Sequence, residues 1–284
     1  MRKPKALLRL IRPINCAMMG FAVFVGAVLA NPVQSLESWI YIVYGFLTGF
    51  MLTGAAMTVN DYYDRAIDAI NEPARPIPSG TVTPREALLF ATLLSIAGFV
   101  FAVMTSPLCL AVAVVSWILV VTYLTVGKRS GLPGNFLVSA CVAAPFIYGS
   151  VAVSGQFQPS VWLFAGMAFL SNTGREITKG IVDVKGDQAE GVKTLAVRYG
   201  EKAAAIVASL FYLSAVALTP LTWILKLVSF LFIPIVLVTD VGLVVCSIVL
   251  LKDYRRESAR KIKKTVLFLF LIGLLAYLLG VLTL

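Results

Sequence analysis

Amide and carboxylate side chains recur one helical turn apart at two places in this chain. The first run is Asn60-Asp61-Tyr62-Tyr63-Asp64-Arg65-Ala66-Ile67-Asp68. The second is Asp183-Val184-Lys185-Gly186-Asp187, preceded by Arg175, Glu176 and Lys179. Residues four apart share a helix face. Asn60, Asp64 and Asp68 therefore make one stripe, and Asp183 with Asp187 another. Like charges on one face repel, and a cation would offset that repulsion. Carboxylate and amide oxygens suit Mg²⁺, which takes few protein ligands and completes its shell with water and phosphate oxygens. Facing each other, the two stripes would cage metal with room for a diphosphate. Each run ends a long apolar segment, which points to chemistry on a phosphorylated lipid. A single such motif reads more readily as a solvated helix end. Two of them, flanked by Arg and Lys, favour the cage.

The apolar segments set the architecture. The 284 residues are 59% hydrophobic and 13% charged, with a mean hydropathy of +0.90. Soluble domains are nearer half apolar and a quarter charged, so this is an integral membrane protein. A spanning helix needs about 20 apolar residues. Such runs occur at roughly 11–30, 39–60, 86–104, 108–127, 135–154, 161–182, 203–221, 228–251 and 265–283. The expectation is an all-α membrane protein with nine transmembrane helices in a single domain, 1–284. Thr105-Ser106-Pro107 makes a tight hairpin between the third and fourth helices. The acidic runs end helices 2 and 6, four helices apart, which suggests two four-helix halves plus a ninth helix around a central site.

Charge fixes the orientation. Of the 24 basic residues, only Lys226 falls outside the N-terminus and the loops after helices 2, 4, 6 and 8. The positive-inside rule then puts the N-terminus and both acidic runs in the cytoplasm and the C-terminus outside, in the cell membrane. The net charge of +10 belongs to that membrane face, and a nucleic-acid partner is a poor explanation of it. Trp39, Trp162 and Trp223 mark the outer boundary of helices 2, 6 and 8 as an aromatic belt. The basic start, apolar run and Val28-Leu29-Ala30 loosely resemble a cleavable leader. The length of the run, with Arg12 and Asn15 on it, favours a retained first span.

The chain has no histidine, which excludes Ser-His-Asp and Cys-His catalysis and His-based zinc sites. Cys16, Cys109, Cys141 and Cys246 are isolated in apolar segments and read as packing residues. Asp240 lies well inside helix 8, where a carboxylate is costly. It would hydrogen-bond Thr239 or another polar neighbour, or be protonated, and no role is assigned to it.

The run Asn60–Asp68, followed by Asn71-Glu72-Pro73-Ala74-Arg75-Pro76-Ile77-Pro78-Ser79-Gly80, resembles the first signature of the UbiA superfamily of intramembrane prenyltransferases. Asp183–Asp187, followed by Gly191-Val192-Lys193-Thr194-Leu195, resembles the second. The resemblance covers essentially the whole chain. One departure is Gly180, where relatives often carry a further Asp, so the second cage rests more on Asp183, Asp187 and Glu176. Arg12-Pro13-Ile14-Asn15-Cys16 and the stretch from Asp183 to Gly200 are most similar to the archaeal members that build ether lipids.

The resemblance implies transfer of an allylic prenyl group from its diphosphate, a Mg²⁺-dependent reaction. Asn60, Asp64, Asp183 and Asp187 are then the expected metal ligands, with Asp61 and Asp68 as second choices. Asp64 and Asp187 are the carboxylates on which turnover should depend most. Arg65, Lys128, Lys179 and Lys193 would neutralise phosphate oxygens, or else snorkel to the interface as anchors. Tyr123 could offer a π face to the allylic cation, or be an interfacial tyrosine. Asn15 would hydrogen-bond a ligand or an acidic loop. Arg9 and Arg12 would meet an acceptor phosphate or lipid headgroups. The subfamily likeness implies a geranylgeranyl diphosphate donor and a phosphorylated glycerol prenyl ether as acceptor. The alternatives are an aromatic quinone precursor or a tetrapyrrole as acceptor, or, in another class, a secondary transporter. Transporter ion sites lie near the bilayer midplane, whereas the acidic residues here gather at one membrane surface.

Overall fold

The computed structural model describes residues 3–189 and 191–283, and every regular element among them is helical. In chain order the helices are α1 (Lys3–Ile11), α2 (Pro13–Ala30), α3 (Pro32–Glu37), α4 (Trp39–Tyr63), α5 (Arg65–Asn71), α6 (Pro84–Thr105) and α7 (Pro107–Thr125). They continue with α8 (Leu132–Ser154), α9 (Pro159–Ala189), α10 (Leu195–Tyr199), α11 (Glu201–Ile224), α12 (Phe232–Lys252) and α13 (Arg256–Leu282). Eight of them, α2, α4, α6, α7, α8, α11, α12 and α13, are long and apolar enough to cross a bilayer. The chain is thus an all-α, multi-pass membrane protein.

Local sequence sets the helix ends. Thr83 caps α6 in a reciprocal box with Glu86, and Pro84 opens the helix, where a missing N–H costs nothing. Ser106 caps α7 with Pro107 behind it, which closes the expected hairpin. The first apolar run is one helix from Pro13 to Ala30, preceded by a separate short helix that the sequence did not mark. Pro13 starts α2 and Arg12 adopts a left-handed backbone, φ 51°, at a cost of roughly 1–2 kcal/mol for an L-residue. The chain turns there, and α1 docks separately. Its Ala6 and Leu10 are buried against Ile77, Val82 and Ala87. The sixth run extends further than its apolar part, because α9 continues through 31 residues to Ala189. Asp183 and Asp187 therefore stand on the helix itself. The last helix starts at Arg256, with polar turns ahead of its apolar run. Trp223 sits on the last turn of α11 rather than at the start of the following helix.

Helix α2 packs against α4, α8 and α13, and α9 against α8, α11 and α13. The α2–α8 crossing is backbone on backbone. A Cβ placed on Gly149 would lie 2.0 Å from the Val23 carbonyl, and one on Gly26 2.2 Å from that of Phe146. Lipid offers no hydrophobic drive between helices, so small residues that let backbones touch take over that role. Phe146, Phe164, Phe232 and Val25 fill one core between α2, α8, α9, α12 and α13. Tyr212, Ile177, Ile181 and Leu250 fill a second between α9, α11, α12 and α13. Leucine, isoleucine and valine on the outer faces of α6 and α7 are exposed, as lipid contact requires. The four cysteines are free, three of them buried. Asp240 accepts a hydrogen bond from Thr219 on α11 at 3.2 Å. Thr239, the neighbour suggested by sequence, instead donates to the Leu269 carbonyl at 3.3 Å.

Candidate active site

The first acidic run straddles a helix break. Helix α4 stops at Tyr63, Asp64 is the junction, and α5 begins at Arg65. Asn60 Nδ2 donates to Asp64 Oδ2 at 3.0 Å. The Lys128 ammonium, on the short 3₁₀ turn Gly127–Arg129 after α7, donates to both Asp64 oxygens. Asp68 turns elsewhere: Arg75 Nη1 donates to it at 2.6 Å. Asp61 accepts from Arg12 at 2.7 Å and from Arg75 at 3.4 Å. The expected stripe thus divides, with Asn60 and Asp64 toward Lys128 and Asp68 toward Arg75. The side chains of Asp61 and Asp68 are only 6% and 8% exposed. Burial pushes the Asp68 carboxyl up despite the opposing guanidinium of Arg75.

The second run lies along α9. Glu176 accepts from Arg175 at 3.1 Å and from Lys179 at 3.3 Å. Asp183 and Asp187 follow on the next turns. Asp187, past the apolar stretch of the helix, is pushed up to about 6 by burial and by the neighbouring charge of Asp183. Arg175 Nε is buried without a hydrogen-bond partner among the described residues. Lys263 of α13 feels the charges of Asp183, Lys179, Arg175 and Glu176.

The loop after α7 joins the two runs. Lys193 N–H donates to the Arg129 carbonyl at 3.4 Å. Gly131, at φ +76°, would bring a Cβ within 2.5 Å of the Lys193 carbonyl oxygen, so only glycine fits there. This contact sets Lys128 on Asp64 and within electrostatic reach of Asp187. Tyr123, near the end of α7, feels Lys179, Glu176, Asp64 and Asp187 together. Both acidic runs therefore border one polar region. Among the described residues, no three acidic, cysteine or histidine side chains converge closely enough to hold a metal. Lysines and arginines hold the carboxylates instead.

The remaining sequence candidates fall as follows. Arg12 is paired with Asp61. Arg65 folds back on Tyr62, 4.6 Å from the ring, and donates to its carbonyl. Lys193 is exposed, and Asn15 is half-buried on the first turn of α2. Sequence reasoning gave no role to Arg75, Arg175 or Lys263. Arg175 stands one turn before Lys179, a spacing that could have singled it out. Arg75 and Lys263 are brought in by loop and helix packing, which spacing alone does not reveal.

The model of the UbiA prenyltransferase family matches residues 19–282. The chain belongs to the UbiA prenyltransferase family. Among UbiA relatives, digeranylgeranylglyceryl phosphate synthase of Archaeoglobus fulgidus is 39% identical over 282 residues, covering 97% of this chain and 95% of that protein. The protein of the same name from Methanopyrus kandleri is 36% identical over 274 residues, covering 96% and 98%. A solved structure described as giving insight into digeranylgeranylglyceryl phosphate synthase in membranes superposes with a TM-score of 0.75. It has 31% identity and covers 100% of both chains. A UbiA homologue from Archaeoglobus fulgidus bound to DMAPP and Mg²⁺ shares the fold, with a TM-score of 0.68, 17% identity, and 94% and 98% of the two chains covered.

Proposed function

We propose that this UbiA enzyme transfers a geranylgeranyl group from geranylgeranyl diphosphate to geranylgeranylglyceryl phosphate. The product is digeranylgeranylglyceryl phosphate, in archaeal ether-lipid synthesis. The observation that carries the reading is end-to-end similarity to digeranylgeranylglyceryl phosphate synthases. It agrees with a charged region bordered by two acidic runs at one end of apolar helices. The single domain has nine spans, α9 being the ninth alongside the eight apolar helices. Two four-helix halves, α2–α4–α6–α7 and α8–α9–α11–α12, are followed by α13. The charge bias of the loops supports an active site toward the cytoplasm.

The chemistry of the donor set suits Mg²⁺, although among the described residues the carboxylates do not yet converge on one point. Asn60, Asp64, Asp183 and Asp187 offer hard oxygens with no soft ligand among them; burial and the neighbouring charge of Asp183 both raise Asp187, and a cation relieves the second. These four residues would hold the ion, with Asp68 behind them in the grip of Arg75. Bound Mg²⁺ supplies Lewis-acid stabilisation of the leaving diphosphate. Lys128, Lys179, Arg65 and Lys193 set positive charge around the phosphate oxygens. Lys128 holds Asp64 in place. The allylic C–O bond breaks as diphosphate leaves, and the acceptor hydroxyl forms the new ether bond. Its proton passes to the released diphosphate, so no strong base is needed. Tyr123 presents a π face to the developing cation. Asn15 orients a ligand from the start of α2.

Competition tests this reading. Purified protein receives labelled geranylgeranyl diphosphate, Mg²⁺, geranylgeranylglyceryl phosphate and a hydroxybenzoate together. The expected result is consumption of the glycerol ether, an untouched aromatic acid and loss of turnover in EDTA. Preferential prenylation of the ring would overturn the acceptor assignment, and full turnover in EDTA the metal assignment.

A further inference from the structure

Arginine gathers in one further place. Arg9, Arg12 and Arg75, with Asp61, Glu72 and Pro76, line a cleft of about 210 Å³ between α1, the start of α2, the end of α4 and the loop after α5. The three guanidinia come from three separate elements. The turn at Arg12 brings the first two together. Its left-handed backbone lets α1 fold back, so that Arg9 Nη1 reaches the Ala74 carbonyl at 3.0 Å. Strained backbone of this kind persists only where the surroundings enforce it. Here the buried Asp61 carboxylate enforces it, accepting from Arg12 and Arg75, while Asp68 fixes Arg75 from behind.

The bonds among described residues engage Nη1 of Arg9, both Nη atoms of Arg12 and Nη1 of Arg75. Each guanidinium carries five N–H donors in a planar fork, so donors remain for a ligand. Planar forks suit phosphate oxygens, and more than one fork suits a doubly charged phosphate. Position narrows the ligand. Asp61 in the cleft wall lies three residues before Asp64, about 4.5 Å along the helix. A hydroxyl on the carbon beside a phosphate ester lies at a comparable distance from its phosphorus. A phosphate seated in the cleft would therefore leave such a hydroxyl near Asp64, where the prenyl diphosphate is assigned.

We propose that Arg9, Arg12 and Arg75 form a phosphomonoester subsite that seats the acceptor's headgroup and selects phosphorylated acceptors. The inference rests on the function proposed above. The same chemistry could be met by the headgroup of an anionic membrane lipid, so the test separates the two.

Wild type, Arg9→Gln and Lys5→Gln are compared in phosphatidylcholine nanodiscs. The acceptors are geranylgeranylglyceryl phosphate and its dephosphorylated alcohol. Arg9 is chosen because it is exposed and leaves the buried Asp61 and Asp68 pairs intact. Arg9→Gln should raise the KM for the phosphorylated acceptor about tenfold, the loss of one charge-assisted hydrogen bond. The KM for geranylgeranyl diphosphate should stay as in the wild type. The KM for the alcohol should be the same in the two proteins. Lys5→Gln, an exposed charge change on the same helix, should shift neither KM. An unchanged acceptor KM in Arg9→Gln, or a donor KM that rises with it, would overturn the subsite. Replacing part of the phosphatidylcholine with phosphatidic acid should barely move the wild-type acceptor KM. A rise matching that of Arg9→Gln would make the cleft a general headgroup site and overturn the acceptor assignment. Failure of the wild type to make the diether at all would instead refute the proposed function.

Discussion

Replacing Asp64 and Asp61 separately by asparagine should split catalysis from stability, although the two residues lie three apart. Asp64 is held by Lys128 and Asn60, with side-chain exposures of 15% for the carboxylate and 28% for the lysine. Losing that pair costs about 1 kcal/mol once solvent screening is allowed for. The loss is offset because Asp64 carries the same charge as Asp61 and Asp68 and pushes the Asp68 carboxyl up. Folding should therefore barely change in Asp64→Asn. Its effect on rate should be large. A carboxylate about 4 Å from a unit positive charge contributes about 4 kcal/mol at an effective dielectric of 20, or about three decades in rate. Partial compensation by Asp183 and Asp187 leaves an expected loss of roughly 100- to 1,000-fold. Asp61 is the reverse case. It is 6% exposed and accepts from two guanidinia. Asparagine keeps an acceptor for Arg12 but not the charge, at a cost of about 1–2 kcal/mol. At roughly 2–4 °C per kcal/mol, Asp61→Asn should melt several degrees below the wild type and still turn over when folded, with a raised KM for the phosphorylated acceptor because Arg12 and Arg75 lose their charged anchor. The assays are prenyl transfer from labelled donor and thermal unfolding, both on the same nanodisc preparation. An Asp64→Asn protein with more than about a tenth of wild-type activity, or an inactive Asp61→Asn protein that melts like the wild type, would refute the division of labour.

Two further outcomes are expected. Gly149→Leu should give no folded monomer by size exclusion, because even a Cβ there would sit 2.0 Å from the Val23 carbonyl; Gly155→Ala, strained at φ +66° but with nothing within 4 Å, should lose about 1 kcal/mol and remain monodisperse. Reporter domains inserted within 252–264 and fused after Leu284 should report opposite sides of the membrane, and matching reports would refute the nine-span orientation.

Much of this was legible in the sequence where a physical rule acts locally. Apolar runs marked nine spans, eight of which coincide with helices long and apolar enough to cross a bilayer, Ser106-Pro107 marked the hairpin, and the Asp spacing marked both acidic segments. Lys128 was named for its charge, but its seat on Asp64 depends on the loop from Gly127 to Gly131 packing against Lys193. Asp68 shares a spacing with Asp64 yet pairs with Arg75, because α4 stops at Tyr63 and the loop after α5 folds back under α1. The length of α9 was also hidden, since its last two turns are too polar to read as part of a span. The break at Arg12 left a sign in Pro13, which spoils helix to its N-terminal side more than its own apolar neighbours suggest.

The gathering of the charged groups at one end of lipid-facing helices has a kinetic consequence. Substrates with long isoprenoid tails stay dissolved in the bilayer and meet the enzyme by lateral diffusion. The quantity the site senses is then substrate per lipid, not substrate per volume of buffer. Adding inert lipid at constant total substrate should slow turnover by surface dilution, while diluting the whole vesicle suspension should leave the rate per enzyme nearly unchanged. Membrane composition thereby sets the working concentration of this reaction, independently of how much water surrounds it.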